Sequence, residues 1–416
     1  MKTDVIVLGA GIVGVSTALH LQARGREVAL VDRGPPGGGT SYGNAGLIER
    51  SSVVPYAFPR ALTLLLRYAL NRSSAVRYDL RDLLHVAPFL MRYWFHSSPR
   101  NLQTAARAML PLIEASVTEH DQLIEAAGAS DLVRSKGWIA AFKTPRRFAA
   151  AVAEAETTAP LGLRMTVIDA AGFGALEPSM RTGTGGVSGA IHWLDPKTVT
   201  DPGELTKRYA LLFEKRGGRI LTGDAASLAQ SDTGWSVDTN EGALAARDVV
   251  VALGPQSGLV FQRLGYRIPL AIKRGYHRHY RLPDGVDLHH SVVDEEAGYV
   301  LAPMRQGVRL TTGVEFAHAD RPVATGQIDQ AERLARRLLS LGEPVEATPW
   351  LGRRPCLPDM RPVIGAAPRH KGLWFNFGHA HHGLTVGPAS GRLLAELLTG
   401  ETPFVDPAPY EAQRFH

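Results

Sequence analysis

Cysteine is nearly missing: the 416 residues hold only Cys356. That excludes an internal disulfide and any zinc or iron–sulfur site built on clustered thiolates. One thiol suits a reducing compartment without excluding secretion. Long apolar runs are missing too. No stretch of about twenty uninterrupted apolar residues occurs, so no membrane-spanning helix is expected. The N-terminal run lacks an Ala-x-Ala cleavage site, and Asp4 falls where a signal peptide would be basic. A strand and a helix explain that segment better. Acidic residues are slightly short, with Asp+Glu 40 against Lys+Arg 46 and a net charge of +6. The mild excess suits an anionic substrate, a pyrophosphate or an anionic membrane. No basic motif interleaved with aromatics marks a nucleic-acid reader, so nucleic acid is not an expected partner.

Glycine, by contrast, is plentiful at 43 residues. Extra glycine marks tight turns and close backbone approach to ligands. Asp4–Leu8 reads as a buried strand, followed by Gly9-Ala10-Gly11-Ile12-Val13-Gly14 and a helical pattern to Arg24. Val28–Val31 reads as a second buried strand, ended by Asp32 and Arg33. Gly9 allows the turn, Gly11 lets backbone approach a pyrophosphate, and Gly14 lets helix and strand pack. Asp32 lies 23 residues after Gly9, where a carboxylate meets ribose hydroxyls. This acid disfavours a 2′-phosphate, hence NADP, but the unit does not separate FAD from NAD.

Other elements follow along the chain. Residues 57–100 are apolar and arginine-rich, with Arg60, Arg67, Arg72, Arg77, Arg81, Arg92 and Arg100 against Asp79 and Asp82. They read as short amphipathic helices, either an interfacial attachment to anionic lipid or a helical cap over a pocket. Helices are expected over 104–127, 202–216, 326–341 and near 388–398. Strands are expected at 219–222, 235–239, 248–253 and 373–377, with an antiparallel block from about 268 to 316. Stretches of α/β character recur at the start, middle and end, so one domain is assembled from three pieces of chain.

Five blocks, in order, carry a family resemblance. They are the first glycine loop, Gly39–Gly46 (with Thr40, Ser41, Asn44, Ala45 and Gly46, leading into Leu47), Ala252–Ser257 around Gly254, Gly352–Gly365, and Gly378–Thr385. Together they resemble the D-amino-acid oxidase-like (DAO) FAD-dependent oxidoreductases. The wording is most similar to bacterial D-amino acid dehydrogenases, including those acting on D-proline and hydroxyproline-type substrates. The resemblance implies a two-domain α/β fold, with a Rossmann-like FAD domain of glutathione-reductase type and an antiparallel-sheet substrate domain. The expected FAD domain is 1–56, 195–262 and 352–416; the substrate domain is 57–194 and 263–351.

The resemblance also implies FAD held without a covalent bond. Cys356 lies on the wrong side of Arg354 for a thioether, and Asn44 stands in the early loop where a histidine linkage would be sought. It assigns Gly378, His379, His382, Gly383, Leu384 and Thr385 to a flavin-contact turn. Adjacent His381 and His382 are expected to point apart, and no metal is expected. Arg354, in the family's G-x-R-P position, is the candidate anchor for a substrate carboxylate, since a guanidinium forks onto it. Arg353 is expected to face elsewhere. Tyr276, Tyr299 and His277, in the antiparallel block that forms the wall over the flavin in this family, are further candidates, as is Tyr42 of the early loop. The implied reaction is oxidative deamination of a D-amino acid or cyclic imino acid. Hydride passes from Cα to flavin N5, and electrons go on to a quinone or other acceptor. A glycine or sarcosine oxidase, a 2-hydroxy-acid oxidase, a flavin subunit of a larger complex and an NAD-binding protein remain open. The expected location is cytoplasmic or peripheral on the inner face of the cell membrane. The oligomeric state is left open.

Overall fold

A computed structural model describes residues 1–71 and 73–415. The first strand, Lys2–Leu8, buries Val5, Ile6, Val7 and Leu8 completely. It lies between Val28–Asp32 and Gly242–Val251, parallel to both. Arg219–Ser231 extends the sheet beyond Val28–Asp32, and Leu373–Phe377 extends it beyond Gly242–Val251, again in parallel. Val363–Ala366 closes one edge antiparallel. Gly234–Thr239 pairs antiparallel with Arg219–Ser231 and Gly242–Val251 to complete seven strands. Parallel strands covered on both faces need apolar residues at every position, which explains their unbroken Val/Ile/Leu runs. One face packs against the helices Ile12–Ala23, Pro99–Ala126, Pro202–Lys215 and Gly383–Thr399. The other packs against Trp235, Val260, Phe261 and Tyr266.

The second sheet has ten strands. Its central strand, Ala271–Tyr280, pairs antiparallel with Gly307–Thr312 and with Trp350–Cys356. The helix Gly326–Ala335 covers one face through Ile328, Ala331 and Ala335. This helix is shorter than the expected 326–341. Arg336 turns back on the chain and donates to the carbonyls of Leu341 and Gly342, so Leu338, Leu339 and Leu341 pack as a turn. The same sheet takes in Trp138–Phe142, Met165–Asp169 and Gly189–Trp193, which the sequence pattern does not mark. A small third sheet joins Leu47–Ile48, Lys197–Val199 and Val133–Arg134.

The arginine-rich segment forms two helices, Leu62–Ala69 and Leu83–His96, with the strand Val76–Tyr78 between them. Arg72 lies outside the described residues, as does the side chain of Arg67. Among the described residues no helix is long and apolar enough to cross a membrane.

The last helix starts at Gly383, five residues before the expected Pro388. Proline in a helix interior leaves the carbonyl four residues earlier without its donor. Here that carbonyl is Leu384 O, and His120 Nε2 takes it at 2.7 Å. The same ring meets the Tyr209 hydroxyl through Nδ1 at 3.0 Å. With Nε2 donating, Nδ1 is left to accept. Burial drives the His120 pKa down to about 4, which keeps the ring neutral in this role.

Candidate active site

Two helix N-termini frame the site, and neither is capped by the side chain of its own N-cap residue. Gly11 precedes the helix Ile12–Ala23, and His382 precedes Gly383–Thr399. The helices pack closely because Gly391 lacks a side chain: a Cβ there would lie 2.8 Å from Thr17 N. The turn before the first helix is tighter still. Gly9 has φ +110°, and a Cβ on Gly14 would lie 1.8 Å from Gly9 O.

The sequence-selected loop residues converge here. Ser41 Oγ accepts from Ile12 N at 2.9 Å, which ties the second glycine loop to the helix start next to Val13. Asp32 accepts from Ala10 N at 2.6 Å and Gly34 N at 3.0 Å. Arg33 faces the Gln256 amide, so the turn after Gly254 reaches the end of the second strand. Thr40 donates to Arg353 O at 3.2 Å. Asn44 Oδ1 accepts from Gly46 N at 2.9 Å, holding Ala45 in a tight turn; Gly46 has φ +80°. Thr385 Oγ1 donates to Leu47 O at 3.1 Å and accepts from Glu49 N at 3.2 Å. That pair joins the early loop to the last helix.

Gly378 has φ +87° and leads into three histidines. His379 Nε2 meets Ser390 Oγ at 3.1 Å, and burial drives its pKa to about 3. The rings of His381 and His382 do not point apart as expected: their centroids lie 3.8 Å from each other. The turn Gly378–Gly383 folds both rings to the same side. Nε2 of each lacks a hydrogen-bond partner, and burial lowers both pKa values, that of His382 to about 4.

These features fit a dinucleotide. The Cβ-free positions at Gly9 and Gly14 leave backbone rather than side chain at the turn. Apart from Ile12 N, which Ser41 takes, the helix starts offer N–H groups to an anion. The two unpartnered imidazole nitrogens at the second helix start are left for a ligand's polar atoms. Gly9, Gly11, Ser41 and the 44–47 turn would hold FAD at its pyrophosphate end, and the 378–385 turn at its ring end.

Arg354 stands on the strand Trp350–Cys356, directly opposite Lys273. Its guanidinium is half-buried and donates only to main chain: Gly313 O at 2.9 Å, Thr312 O at 3.3 Å and Arg274 O at 3.5 Å. Space for it exists because residue 275 is glycine; a Cβ there would lie 2.4 Å from Arg354 Nη1. Among the described residues neither Arg354 nor Lys273 has a carboxylate ion-pair partner. Lys273 Nζ instead lies 3.6 Å from the centre of the Tyr93 ring. Burial lowers the Arg354 pKa. Two adjacent cations without a counter-charge make an anion site. Arg353, as expected, turns away, to Ala319 O at 3.1 Å.

The two tyrosines are not brought to this arginine. Alternation along Ala271–Tyr280 puts Lys273, Gly275 and His277 on one face and Arg274 and Tyr276 on the other. Tyr276 donates to Glu315 Oε2 at 2.6 Å and accepts from Arg274 Nη2 at 2.9 Å, inside the core under Gly326–Ala335. Burial first and Glu315 second raise its pKa. Tyr299 pairs with Thr312 and packs in the same core, its phenol raised by burial and by Asp294. We therefore expect Tyr276→Phe to cost about 1–3 kcal/mol of stability, because Arg274 and Glu315 each lose a buried partner. The substrate KM of the same variant should stay within about twofold. Thermal melts and steady-state kinetics on one preparation check both halves.

His277 does share the arginine's face, with Gly275 between them. Its ring stacks on Trp350 at 4.8 Å, and Tyr42 lies 5.7 Å away. Burial and then Arg309 push its pKa down to about 2. Arg309 donates to Tyr42 O at 2.9 Å and to Asn44 O at 2.5 Å, and His279 Nε2 accepts from its Nε at 2.9 Å. The sheet thereby grips the glycine loop. Trp350 closes the grip, since a Cβ on Gly43 would lie 1.7 Å from its ring.

Lys273, Arg309, Trp350 and Glu49 are absent from the sequence-selected set. Lys273 could have been found from its parity with Gly275 and His277. Glu49, two residues past Leu47, is buried, and burial raises its pKa to about 7. Nothing in the sequence separates it from an ordinary surface glutamate.

The model of the DAO family, described as FAD dependent oxidoreductase, matches residues 4–397. A D-amino acid dehydrogenase of Cereibacter sphaeroides is 30% identical over 99% of this chain and 95% of its own. Among solved structures, glycine oxidase from Geobacillus kaustophilus superposes with a TM-score of 0.74 at 22% identity, covering 99% of each chain. An L-amino acid deaminase from Proteus vulgaris, lacking its specific insertion, superposes at 0.73 with 20% identity over 100% of this chain and 94% of its own. At such identities the two superpositions speak for the fold alone.

Proposed function

The chain belongs to the DAO family of FAD-dependent oxidoreductases, and we propose that it oxidises a D-amino acid or cyclic imino acid at the Arg354 face. The observation that supports this best is the half-buried guanidinium braced by three carbonyls, beside Lys273 and without a carboxylate of its own. Such a group binds a substrate carboxylate through a two-pronged fork and fixes the direction of Cα. The D configuration is favoured by the dehydrogenase relative and not by any measured distance.

When bound, FAD supplies the acceptor for the Cα hydride at its N5. The chain's own residues bind and orient. Arg354 takes the carboxylate, with Lys273 adding positive charge. The 378–385 turn presents N–H groups and two neutral imidazoles at the ring end of the cofactor. Helix Leu83–His96 lies over Lys273 through Tyr93 and Phe89 and excludes water from that side. The substrate leaves as an imine, which hydrolyses to a 2-oxo acid and ammonia or stays cyclic. Electrons pass onward to a quinone or other acceptor at the inner face of the cell membrane. We assign the FAD domain to 1–56, 195–262 and 352–416, with FAD held non-covalently, and the substrate domain to 57–194 and 263–351.

The test is anaerobic bleaching of the flavin by D- and L-amino acids, D-proline, glycine and sarcosine, followed by air or a soluble quinone. Bleaching by D-amino acids with fast recovery only on quinone is the expected result. Preference for glycine or sarcosine with fast recovery in air would replace it with an oxidase. Bleaching by none of them would sink amino-acid oxidation altogether.

A further inference from the structure

Five glutamates are buried among the described residues, and one of them lacks a cation. Glu119 and Glu396 meet Arg392 at 2.8 and 2.7 Å, Glu315 meets Arg274 at 2.9 Å, and Glu177 meets His290 at 2.7 Å. Glu49 differs. Its hydrogen-bond partner is Ser52, and the charge acting on it is that of another carboxylate, Glu295. A buried carboxylate without a cation is costly, and a ligand can supply what the fold withholds.

Glu49 lies at the site. Its main-chain N–H donates to Thr385 Oγ1 at the ring end of the cofactor turn. Strand parity brings Glu295 to the same place. Leu47 and Val293 pack in one cluster with Trp138 and Ala140. Glu49 and Glu295 follow two residues later, on the same faces. Glu295 N donates to Ala141 O, and Trp138 Nε1 donates to Ser51 Oγ at 3.0 Å, so both segments are fastened to the strand Trp138–Phe142. Burial raises the Glu295 pKa to about 7, with Asp294 and Glu154 adding to the rise and Arg147 opposing it.

Tyr56 joins these carboxyls to Arg354. Its ring lies 4.9 Å from that of His381, and its carbonyl accepts from the Tyr93 hydroxyl. Burial raises its phenol pKa, Glu49 and Glu295 raise it further, and Arg354 lowers it. One side chain thus meets a cation on one side and two carboxyls on the other. Protein surrounds it, yet 60% of it is uncovered, so it borders open space inside the molecule. Nε2 of His381 and of His382, the latter 4% exposed, are unpartnered beside it. A space with Arg354 and Lys273 at one end and two carboxyls at the other takes a ligand of the reverse polarity.

We propose that Glu49, with Glu295 behind it, recognises a positively charged side chain on the amino acid whose carboxylate Arg354 holds, so that dibasic D-amino acids are the preferred substrates. This rests on the reading of Arg354 as the carboxylate anchor. A neutral side chain would leave Glu49 buried and unpaired; an ammonium or guanidinium gives it the partner that the other four glutamates already have.

Two measurements on the FAD-loaded enzyme test this, both at about pH 8, above the raised values of the two carboxyls. The first is kcat/KM for D-lysine and D-arginine against D-norleucine, with a soluble dye as acceptor. The ratio should be at least about tenfold in favour of the dibasic pair, and Glu49→Gln should erase it. Arg354→Ala should instead weaken all three alike. The second needs no turnover: flavin difference spectra titrated with 6-aminohexanoate and with hexanoate, which are lysine and norleucine without the α-amine. The amino acid should bind at least about tenfold more tightly, and Glu49→Gln should remove the difference. Equal binding of the two, or a preference that survives Glu49→Gln, would overturn this proposal and leave Arg354 in place. So would a preference for a hydroxylated cyclic imino acid over D-lysine. Binding of neither acid would overturn the reading of Arg354 and this proposal with it.

Discussion

Arg354→Ala is expected to raise KM for a D-amino acid by about two to three orders of magnitude, with the flavin spectrum and FAD content unchanged. The size follows from the pair being broken. Removing one member of a desolvated, hydrogen-bonded charge pair costs about 2–5 kcal/mol, and each 1.4 kcal/mol is about tenfold. The loss should fall mainly on KM, because the carboxylate is held alike before and during hydride transfer. Arg354→Lys should recover only part, since an ammonium keeps the charge but not the fork. A structural arginine would behave differently. Its removal would free a buried carboxylate and lower stability; here the guanidinium meets only carbonyls of Gly313, Thr312 and Arg274. An amine substrate without a carboxylate supplies the control, and its weak turnover should be indifferent to the substitution. Unchanged KM for amino acids in Arg354→Ala would remove this residue from the site.

How far this arrangement was legible in the sequence depends on what each element required. The opening unit was legible because three glycines, two β-branched runs and Asp32 each answer a local constraint. Arg354 was legible through its motif. The side-chain parity around it was not. Alternation assigns Tyr276 and His277 to opposite faces, but only the pairing of Lys273 with Arg354 says which face Arg354 shares. The sequence alone therefore ranks Tyr276 and Tyr299 beside Arg354 and leaves Lys273 unmarked. The start of the last helix was hidden by Pro388, whose break is repaired by His120 from another helix 264 residues away. That helix, Pro99–Ala126, packs on the last helix and on Pro202–Lys215, through contacts that no local pattern announces. The strands between 138 and 193 were hidden because small residues such as Ala140, Ala141 and Ala190 carry little strand preference of their own.

Gly14→Ala should give a protein that purifies nearly colourless, with FAD affinity reduced at least about 100-fold. The effect is steric and local. The new Cβ would lie 1.8 Å from Gly9 O, a backbone atom with no flexible end to move aside. Gly9 cannot yield easily either, since it already holds φ +110° and has the Ala252 carbonyl beside it. The turn must therefore open, pulling the start of the first helix away from Ser41 Oγ and spoiling the N–H groups aimed at an anion. Overpacking of this kind costs about 1–3 kcal/mol in a core, and more where only backbone can move. Gly25→Ala separates this clash from a general weakening of the fold. Gly25 ends the same helix with φ +76°, but nothing lies within 4 Å of its would-be Cβ. That variant should lose about 1 kcal/mol of stability through strain and keep its flavin. FAD titration by fluorescence quenching, beside far-ultraviolet circular dichroism of both apoproteins, distinguishes the two. If Gly14→Ala retains FAD as tightly as Gly25→Ala does, the first glycine loop is a packing turn, and the dinucleotide must be held elsewhere.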